Sequence, residues 1–247
     1  MRGKVSCIVI VALAAALAVQ AAGTVSVETF YSEALGESRQ VLVYLPEGYT
    51  HVGPELPVVY FLHGSGGKPG SWYLSDFVPI LDDLIADGWI DPMIIVEPDS
   101  ASCPAPPEWQ SQGVTGRVWS FHTNSELFGN NEDYLVEDLV EWVDWSYNTI
   151  ADRAGRYLIG RSMGGHGAIR FAMRHPEVFA AVYPNRPRFR QTGRPSLAKL
   201  SHNERVTMDD GETDYHERMD MIRFVSEHPA DLPFVGWCCG RRDGFAT

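Results

Sequence analysis

The sequence predicts a single α/β domain built on a mostly parallel sheet. Three observations support this fold class. Short, continuously apolar and β-branched segments, typical of strands covered on both faces, alternate with segments of helical periodicity. The length of 247 residues suits one large domain of this class and leaves little room for a second. Hydrophobic residues make up 45% of the chain and charged residues 21%, a balance ordinary for a globular protein.

The folded part is predicted to begin with an antiparallel hairpin. Residues 25–31 and 39–45 alternate apolar and polar side chains, and residues 35–38 between them are turn-like. The later elements are predicted in this order: a central strand at 56–62, a glycine-rich loop at 63–67, a helix at 77–88, a buried strand at 93–96, a long loop at 100–128, a helix at 131–150, a short strand at 157–159, a helix at 165–174, a strand at 178–183 and a last strand at 232–239.

The most informative motif is Gly160-Arg161-Ser162-Met163-Gly164, which lies between a predicted strand and a predicted helix. A bare G-x-S-x-G also fits a glycine-rich turn, but this context favours a nucleophile elbow, a strained turn that exposes a serine above a sheet. Ser162 is therefore the predicted nucleophile of an acyl-transfer reaction. The backbone N–H groups of Met163 and Ser65, the latter in the glycine-rich loop, are the predicted oxyanion donors.

The base and the acid of the predicted site are harder to place. His63 ends a strand, and His166 lies on the nucleophile's own helix, so we expect both to be structural. In this fold the acid and then the base follow the serine in the chain, and Asp243 fits the acid because it follows the last predicted strand. No histidine follows Asp243 in the sequence. The less favoured alternative takes the base from His202, His216 or His228 with Asp209, Asp210 or Asp214 as the acid.

The long loop at 100–128 is rich in Pro, Gly, Ser and Trp, and loops of this length usually bind ligands or form lids. Two of its tryptophans, Trp109 and Trp119, are candidate substrate-binding residues. Their rings either stack on a phenolic or sugar ring or pack within the loop itself.

Residues 1–22 are predicted to be a secretory signal peptide. Arg2 and Lys4 precede an apolar run from Ile8 to Val19, which is too short for a membrane anchor, and small residues follow it. The mature domain is then 24–247, and the protein is expected to be secreted or periplasmic. The full chain has 20 Lys and Arg residues and 32 Asp and Glu residues. Without Arg2 and Lys4, 18 basic residues remain, so the net charge of the mature domain is −14. Such an acidic chain is not expected to bind nucleic acid or membrane surfaces.

The remaining signals are weaker. Cys103 either bridges to Cys238 or Cys239 or is a buried thiol. No Cys and His spacing predicts a metal site, and no cofactor is expected. The basic stretch from Arg186 to Arg194 is interpreted as a solvated loop rather than an anion site.

With these residues identified, the chain resembles the esterase D family of α/β-hydrolases, which includes feruloyl and acetyl xylan esterases, S-formylglutathione hydrolase and mycolyltransferases. The resemblance covers about residues 25–184. It depends on residues 62–67, 134–139 and 160–168, with further matches at 124–125 and 175–179 and a weaker one around Asp243.

The resemblance implies the α/β-hydrolase fold and a serine carboxylic ester hydrolase. With the export signal, it implies acylated polysaccharide or other small extracellular esters as substrates. Members of the family carry the catalytic histidine beyond the position of Asp243, so the chain is expected to be a C-terminally truncated member that lacks the last strand and helix. The alternative function is that of a catalytically impaired homologue that retains only the binding cleft.

Overall fold

The computed structural model of the protein describes residues 22–67, 72–100, 102–111, 116–125, 127–185 and 234–235, with backbone alone at 72–76, 108–109 and 234–235. Its main sheet has seven strands: β1 (Thr24–Ser32), β2 (Glu37–Leu45), β3 (Val58–Leu62), β4 (Ile94–Pro98), β9 (Arg156–Arg161), β10 (Ala181–Asn185) and β11 (Phe234–Val235).

The strands are ordered β1-β2-β4-β3-β9-β10-β11 across the sheet. The β1–β2 hairpin is antiparallel, and β2 also pairs antiparallel with β4. All pairs from β4 to β11 are parallel. This confirms the predicted α/β fold with a mostly parallel sheet and an N-terminal antiparallel hairpin.

Helices cover both faces of the sheet. The longer ones are α1 (Trp72–Ala86), α4 (Leu139–Ser146) and α5 (Met163–Arg174). The shorter ones are α2 (Pro107–Gln110) and α3 (Asn131–Asp133), together with a π-helical turn at Tyr134–Asp138 and a 3₁₀ turn at Arg153–Gly155. None of the helices in the described ranges is long and apolar enough to cross a membrane.

Alternation along the central strands divides the core into two layers. Val58, Tyr60 and Leu62 of β3 pack with the apolar residues of α4 and α5 on one face. Val59 faces the opposite layer, which includes Val78 of α1. A side-chain period of two therefore accounts for the continuously apolar sequence of this strand, because both of its faces are buried.

The long predicted loop contains regular structure that its sequence did not indicate. Two small antiparallel pairs lie within it: β5 (Ser102–Pro104) with β6 (Arg117–Trp119), and β7 (Asn124–Ser125) with β8 (Gly129–Asn130). Strands of two or three residues are too short to show alternation, so the prediction of an aperiodic loop was wrong here.

Several predicted boundaries also shift. The strand predicted at 178–183 begins only at Ala181, because residues 175–180 form the turns that end α5. The helix predicted at 131–150 ends at Ser146 and includes the π-helical turn. Of the last predicted strand, Phe234 and Val235 are described, and they pair with β10.

Candidate active site

Ser162 lies at the junction of β9 and α5. Its backbone has φ 53° and ψ −111°, a conformation that a residue other than glycine rarely adopts. The N–H of Ser162 donates to the carbonyl of Asn185 at 2.9 Å, and its own carbonyl accepts from the N–H of His166 at 3.0 Å. The residue therefore ends the sheet pairing of β9 and begins the first turn of α5, which is the geometry of the predicted elbow.

Two glycines allow the chain to reverse this sharply. A Cβ added at Gly160 would overlap the backbone of Gly164, and a Cβ added at Gly164 would overlap the carbonyl of Leu62 at the end of β3. The first turn of α5 is thus packed directly against two strand ends with no side chain between. This close approach is the physical reason for glycine at the second positions before and after the serine.

The glycine-rich loop forms a tight turn beside Ser162. The N–H of Gly67 donates to the carbonyl of Gly64 at 3.0 Å, and Gly66 has φ 83°, as expected at the third position of a type II turn. A Cβ added at Gly64 would lie 3.5 Å from the Cβ of Ser162. The Ser65 hydroxyl contacts the Met163 sulfur at 3.5 Å. Ser162, Met163 and Ser65, which are distant in sequence, are therefore neighbours.

Three buried histidines pack beneath this site. The Nδ1 atom of His63 lies 2.9 Å from the carbonyl of Gly64, so the ring braces the glycine-rich loop as predicted. The rings of His63 and His122 lie 6.0 Å apart, and the ring of His166 packs edge-on against Phe121 at 6.3 Å. All three histidines are almost fully buried.

Burial disfavours the charged form of His63 and His122. It lowers the pKa of His63, and it lowers the pKa of His122 to about 3, with the electrostatic interaction with His63 as the next cause. His122 and Phe121 also have positive φ values of 58° and 53°. The sequence analysis missed both residues, because nothing in an aperiodic segment marks a histidine as buried.

A buried carboxylate ties α5 to the segment before α4. Glu132 is 1% exposed and accepts from Arg170 Nε at 2.9 Å and from Arg174 Nε at 2.7 Å. Nε2 of His175 lies 2.8 Å from the same carboxylate. The backbone N–H of Glu132 donates to Asn124 Oδ1 at 2.8 Å, so the network reaches the long loop.

The sequence analysis did not identify Glu132 as a buried charge. A signal was present in Arg170 and Arg174, which lie four residues apart on a helix that is otherwise buried. Two arginines on one face of a buried helix require a buried anion.

An open cleft of about 380 Å³ lies beside the glycine-rich loop. Gly66 and Gly67 of the glycine-rich loop and Trp119 of β6 line it. Its remaining lining residues are Arg39, Asp99, Ser100, Ser102 and Arg117. Trp119 is thus close to the loop that carries Ser65, as its candidate role requires. Trp109 belongs to α2, and its side chain is outside the described residues.

Several predicted features lie outside the described residues. These are the predicted acid Asp243, the alternative acids and bases between 202 and 228, the basic stretch at 186–194, Cys238, Cys239 and residues 1–21. Cys103 lies in β5, makes no disulfide with a described residue, and has a pKa raised by burial. Within the ranges that the structure covers, no group of three or more His, Cys, Asp or Glu side chains is arranged to hold a metal ion.

Sequence comparison connects this site to known esterases. The family model described as "Putative esterase" matches residues 32–188, a range that includes the glycine-rich loop and the elbow. The chain is 33% identical over 167 residues to an endo-1,4-beta-xylanase/feruloyl esterase of Xylanibacter ruminicola. It is 33% identical over 153 residues to an esterase of Mycobacterium tuberculosis. These matches cover 64% and 62% of this chain but only 20% and 30% of the two relatives.

Solved structures show the same fold. A ferulic acid esterase superposes with a TM-score of 0.62 at 20% identity, over 89% of this chain and 90% of that one. An S-formylglutathione hydrolase from Agrobacterium tumefaciens superposes with a TM-score of 0.64 at 19% identity, over 91% of this chain and 78% of that one. The chain belongs to the esterase family and has the α/β-hydrolase fold, which confirms the predicted family and fold.

Proposed function

We propose that the protein is a secreted serine esterase in which Ser162 attacks an ester carbonyl and forms an acyl-enzyme. One observation carries the proposal. Ser162 has a strained backbone at the start of α5, and the turn at residues 64–67 packs against it. A strained serine between a strand end and a helix N-terminus, next to a second loop with accessible amides, is the arrangement that acyl transfer requires.

The proposed reaction proceeds in two steps. The Ser162 oxygen forms a bond to the ester carbonyl carbon, its proton passes to a base, and the carbonyl oxygen becomes an oxyanion. The backbone N–H groups of Met163 and Ser65 donate hydrogen bonds to this oxyanion. The C–O bond to the alcohol then breaks, and the alcohol leaves with the proton. Water hydrolyses the acyl-enzyme by the same route, which releases the acid and restores the serine.

Asp243 is proposed as the acid that orients the base. None of the buried histidines His63, His122 and His166 is assigned as the base. A general base works best with a pKa near the working pH, whereas burial lowers the pKa of His122 to about 3 and also lowers the pKa of His63. His166 is 3% exposed and belongs to the first turn of α5.

The proposed substrates are acylated polysaccharides or other small extracellular esters. The name of the Xylanibacter ruminicola relative combines a xylan-cleaving and a feruloyl-ester-cleaving activity, and this favours a plant polysaccharide ester. Trp119, which lines the cleft next to the glycine-rich loop, and Trp109 are the proposed ring-binding residues. Residues 1–22 are proposed to direct export, after which no stable membrane or nucleic acid association is expected.

The test measures hydrolysis of p-nitrophenyl acetate by wild type, Ser162→Ala and the control Ser26→Ala, which changes an exposed serine of β1. Loss of the nucleophile is expected to lower kcat by a factor of roughly 10³ or more, whereas the control is expected to match wild type. A fluorophosphonate probe, followed by mass spectrometry, is expected to label Ser162 in the wild type. Equal background rates for all three proteins, with no labelling of Ser162, would refute the proposal.

A further inference from the structure

Arg117 is a cation with neutral partners on the wall of the cleft. Its Nη2 donates to the carbonyl of Ser102 at 2.8 Å and to the Ser102 hydroxyl at 2.9 Å, and its Nε donates to the same hydroxyl at 3.3 Å. Within the described part of the chain, these uncharged oxygens are its hydrogen-bonding partners, and its Nη1 makes no hydrogen bond. The guanidinium is therefore positioned without being neutralised.

The second arginine of the cleft differs in this respect. Arg39 forms ion pairs with Glu37 at 2.8 Å and with Asp99 at 3.2 Å, so two carboxylates balance its charge. Its side chain is 11% exposed and stacks over the ring of Tyr134 at 5.7 Å. Arg39 is part of the cleft's framework, which leaves Arg117 as the cleft arginine with the unbalanced charge.

Trp119 lies on the same face of β6 as Arg117. The two residues are separated by Val118, which is buried on the opposite face, and both line the cleft. A planar apolar surface and a guanidinium side by side match a ligand that carries a carboxylate on a ring. The chain has a net charge of −12, so the cationic Arg117 in this cleft is opposite in sign to the protein as a whole.

The other cleft residues favour a sugar over an aromatic ring. Asp99 and the hydroxyl residues Ser100 and Ser102 also line the cleft. Sugar hydroxyls can donate to a carboxylate and exchange hydrogen bonds with serines, whereas an aromatic acid would desolvate these groups without replacing their bonds. The cleft volume of about 380 Å³ is in the lower part of the range of roughly 300 to 1,000 Å³ for small-molecule sites.

We propose that this cleft binds an acidic sugar residue of the ester substrate, with its carboxylate on Arg117 and its ring on Trp119. The inference rests on the proposed function, since the bound sugar is a substrate only if the protein is an esterase. The cleft is next to the proposed site, because Gly66 and Gly67 of the turn that carries Ser65 also line it. A sugar bound there lies next to the reacting ester and selects acylated polysaccharides that contain uronic acids.

Binding can be tested without turnover. In the Ser162→Ala background, isothermal titration calorimetry compares the binding of methyl glucuronoside and methyl glucoside. The first carries a carboxylate where the second carries a hydroxymethyl group. The glucuronoside is expected to bind about fivefold to tenfold more tightly, in line with one charge-assisted hydrogen-bonded pair. Arg117→Gln is expected to abolish this preference. The control Arg153→Gln, at an exposed arginine whose Nε donates to the carbonyl of Pro176, is expected to retain it.

Trp119→Ala is expected to weaken both glycosides, whereas Trp145→Ala, at a residue that is 85% exposed on α4, is expected to weaken neither. Equal binding of the two glycosides, or a preference that survives Arg117→Gln, overturns the proposal. Tighter, Arg117-dependent binding of 4-hydroxybenzoate than of the glucuronoside overturns the assignment to a sugar.

Hydrolysis separates this proposal from the proposed function. The acetylated forms of the two glycosides are assayed with the intact serine, and the ratio of their kcat/KM values is expected to fall about fivefold to tenfold in Arg117→Gln. Ser162-dependent hydrolysis with an unchanged ratio refutes the acidic-sugar site alone. Arg117-dependent binding without Ser162-dependent hydrolysis refutes the esterase proposal alone.

Discussion

Two regions meet at the cleft beside the glycine-rich loop, and they are constructed differently. The elbow region comprises residues 62–67 and 156–174. Here the backbone at the start of α5 packs directly against the end of β3, and there is no room for a Cβ at Gly164. The cleft wall, the described residues between 99 and 125, includes strands of two or three residues, and side chains such as Arg117 and Asn124 hold it together. Backbone packing tolerates almost no change, whereas a wall made of side chains can vary its contacts. This difference fits the proposed roles, in which the elbow region carries the chemistry and the cleft wall selects the ligand.

The largest expected effect is on the backbone contact itself. Gly164→Ala places a Cβ on the carbonyl of Leu62, so β3 and α5 must separate. We expect a loss of more than about 4 kcal/mol in the free energy of unfolding, in the range that single substitutions reach only exceptionally. Urea denaturation followed by circular dichroism measures this loss.

The matched control for this substitution is Gly88→Ala. Gly88 has φ 71° and open space around its Cα, so the substitution introduces torsional strain without overlap. It is expected to cost about 1 to 2 kcal/mol. Similar losses for the two variants would mean that close packing does not distinguish the elbow region.

The second prediction concerns the joint between the two regions. Glu132→Gln removes the negative charge that balances Arg170, which is 1% exposed, and Arg174. Breaking a buried ion pair from one side leaves the other charge uncompensated, and we expect a loss of about 3 to 5 kcal/mol in the free energy of unfolding. Glu141→Gln, at an exposed position of α4, is the control and is expected to cost less than about 0.5 kcal/mol.

The pH dependence gives an independent check of this joint. Burial alone would raise the pKa of Glu132, but the hydrogen bond with His175 and the charges of the two arginines outweigh it and lower the pKa to about 2. The unfolded chain therefore binds this proton more readily, with its ordinary pKa of 4.5. The stabilisation is complete above that pH and is lost as the pH falls towards 2. A stability difference between wild type and Glu132→Gln that stays constant from pH 7 to 3 would contradict this.

The third prediction separates the backbone of the glycine-rich loop from its side chain. Ser65 occupies the second position of the turn at residues 64–67, where proline is favoured. Ser65→Pro therefore keeps the turn but removes the N–H proposed as an oxyanion donor. We expect kcat for p-nitrophenyl acetate to fall by a factor of about 10² to 10³.

Ser65→Ala retains the N–H and loses only the hydroxyl contact with the sulfur of Met163. Its kcat is expected to stay within about twofold of wild type, because that contact is weak. If the alanine variant is as slow as the proline variant, the side chain rather than the backbone is responsible, and the assignment of the donor is wrong.

The same contrast explains which parts of the structure could be predicted from the sequence. The elbow was predictable because its geometry requires particular residues at fixed spacing, namely Gly160, Ser162 and Gly164 between a strand and a helix. The β5–β6 pair was not predictable, because three-residue strands have no period to detect. Glu132 was not identified as a buried charge, because helical periodicity describes apolar faces and the partners of Glu132 lie about forty residues away in the sequence.

The smallest predicted effect lies in the cleft wall, at His122. Burial, followed by the charges of His63 and His166, lowers the pKa of His122 to about 3 from 6.5. Between these values the unfolded chain binds a proton that the folded chain does not, so stability falls as the pH drops below 6.5. Asparagine tolerates the positive φ of this position, so His122→Asn removes the titration without changing the backbone conformation.

Wild type is expected to lose about 2 kcal/mol more than His122→Asn between pH 7 and pH 5, measured by urea denaturation at both pH values. Any packing cost of the substitution is present at both pH values and cancels in this comparison. His51→Asn, at an exposed histidine, is the control and is expected to follow the wild-type pH dependence. If His122→Asn loses as much stability as wild type over this interval, the imidazole is protonated in the folded protein. That outcome would mean that water reaches His122 in the folded protein, although the side chain is fully buried in the structure.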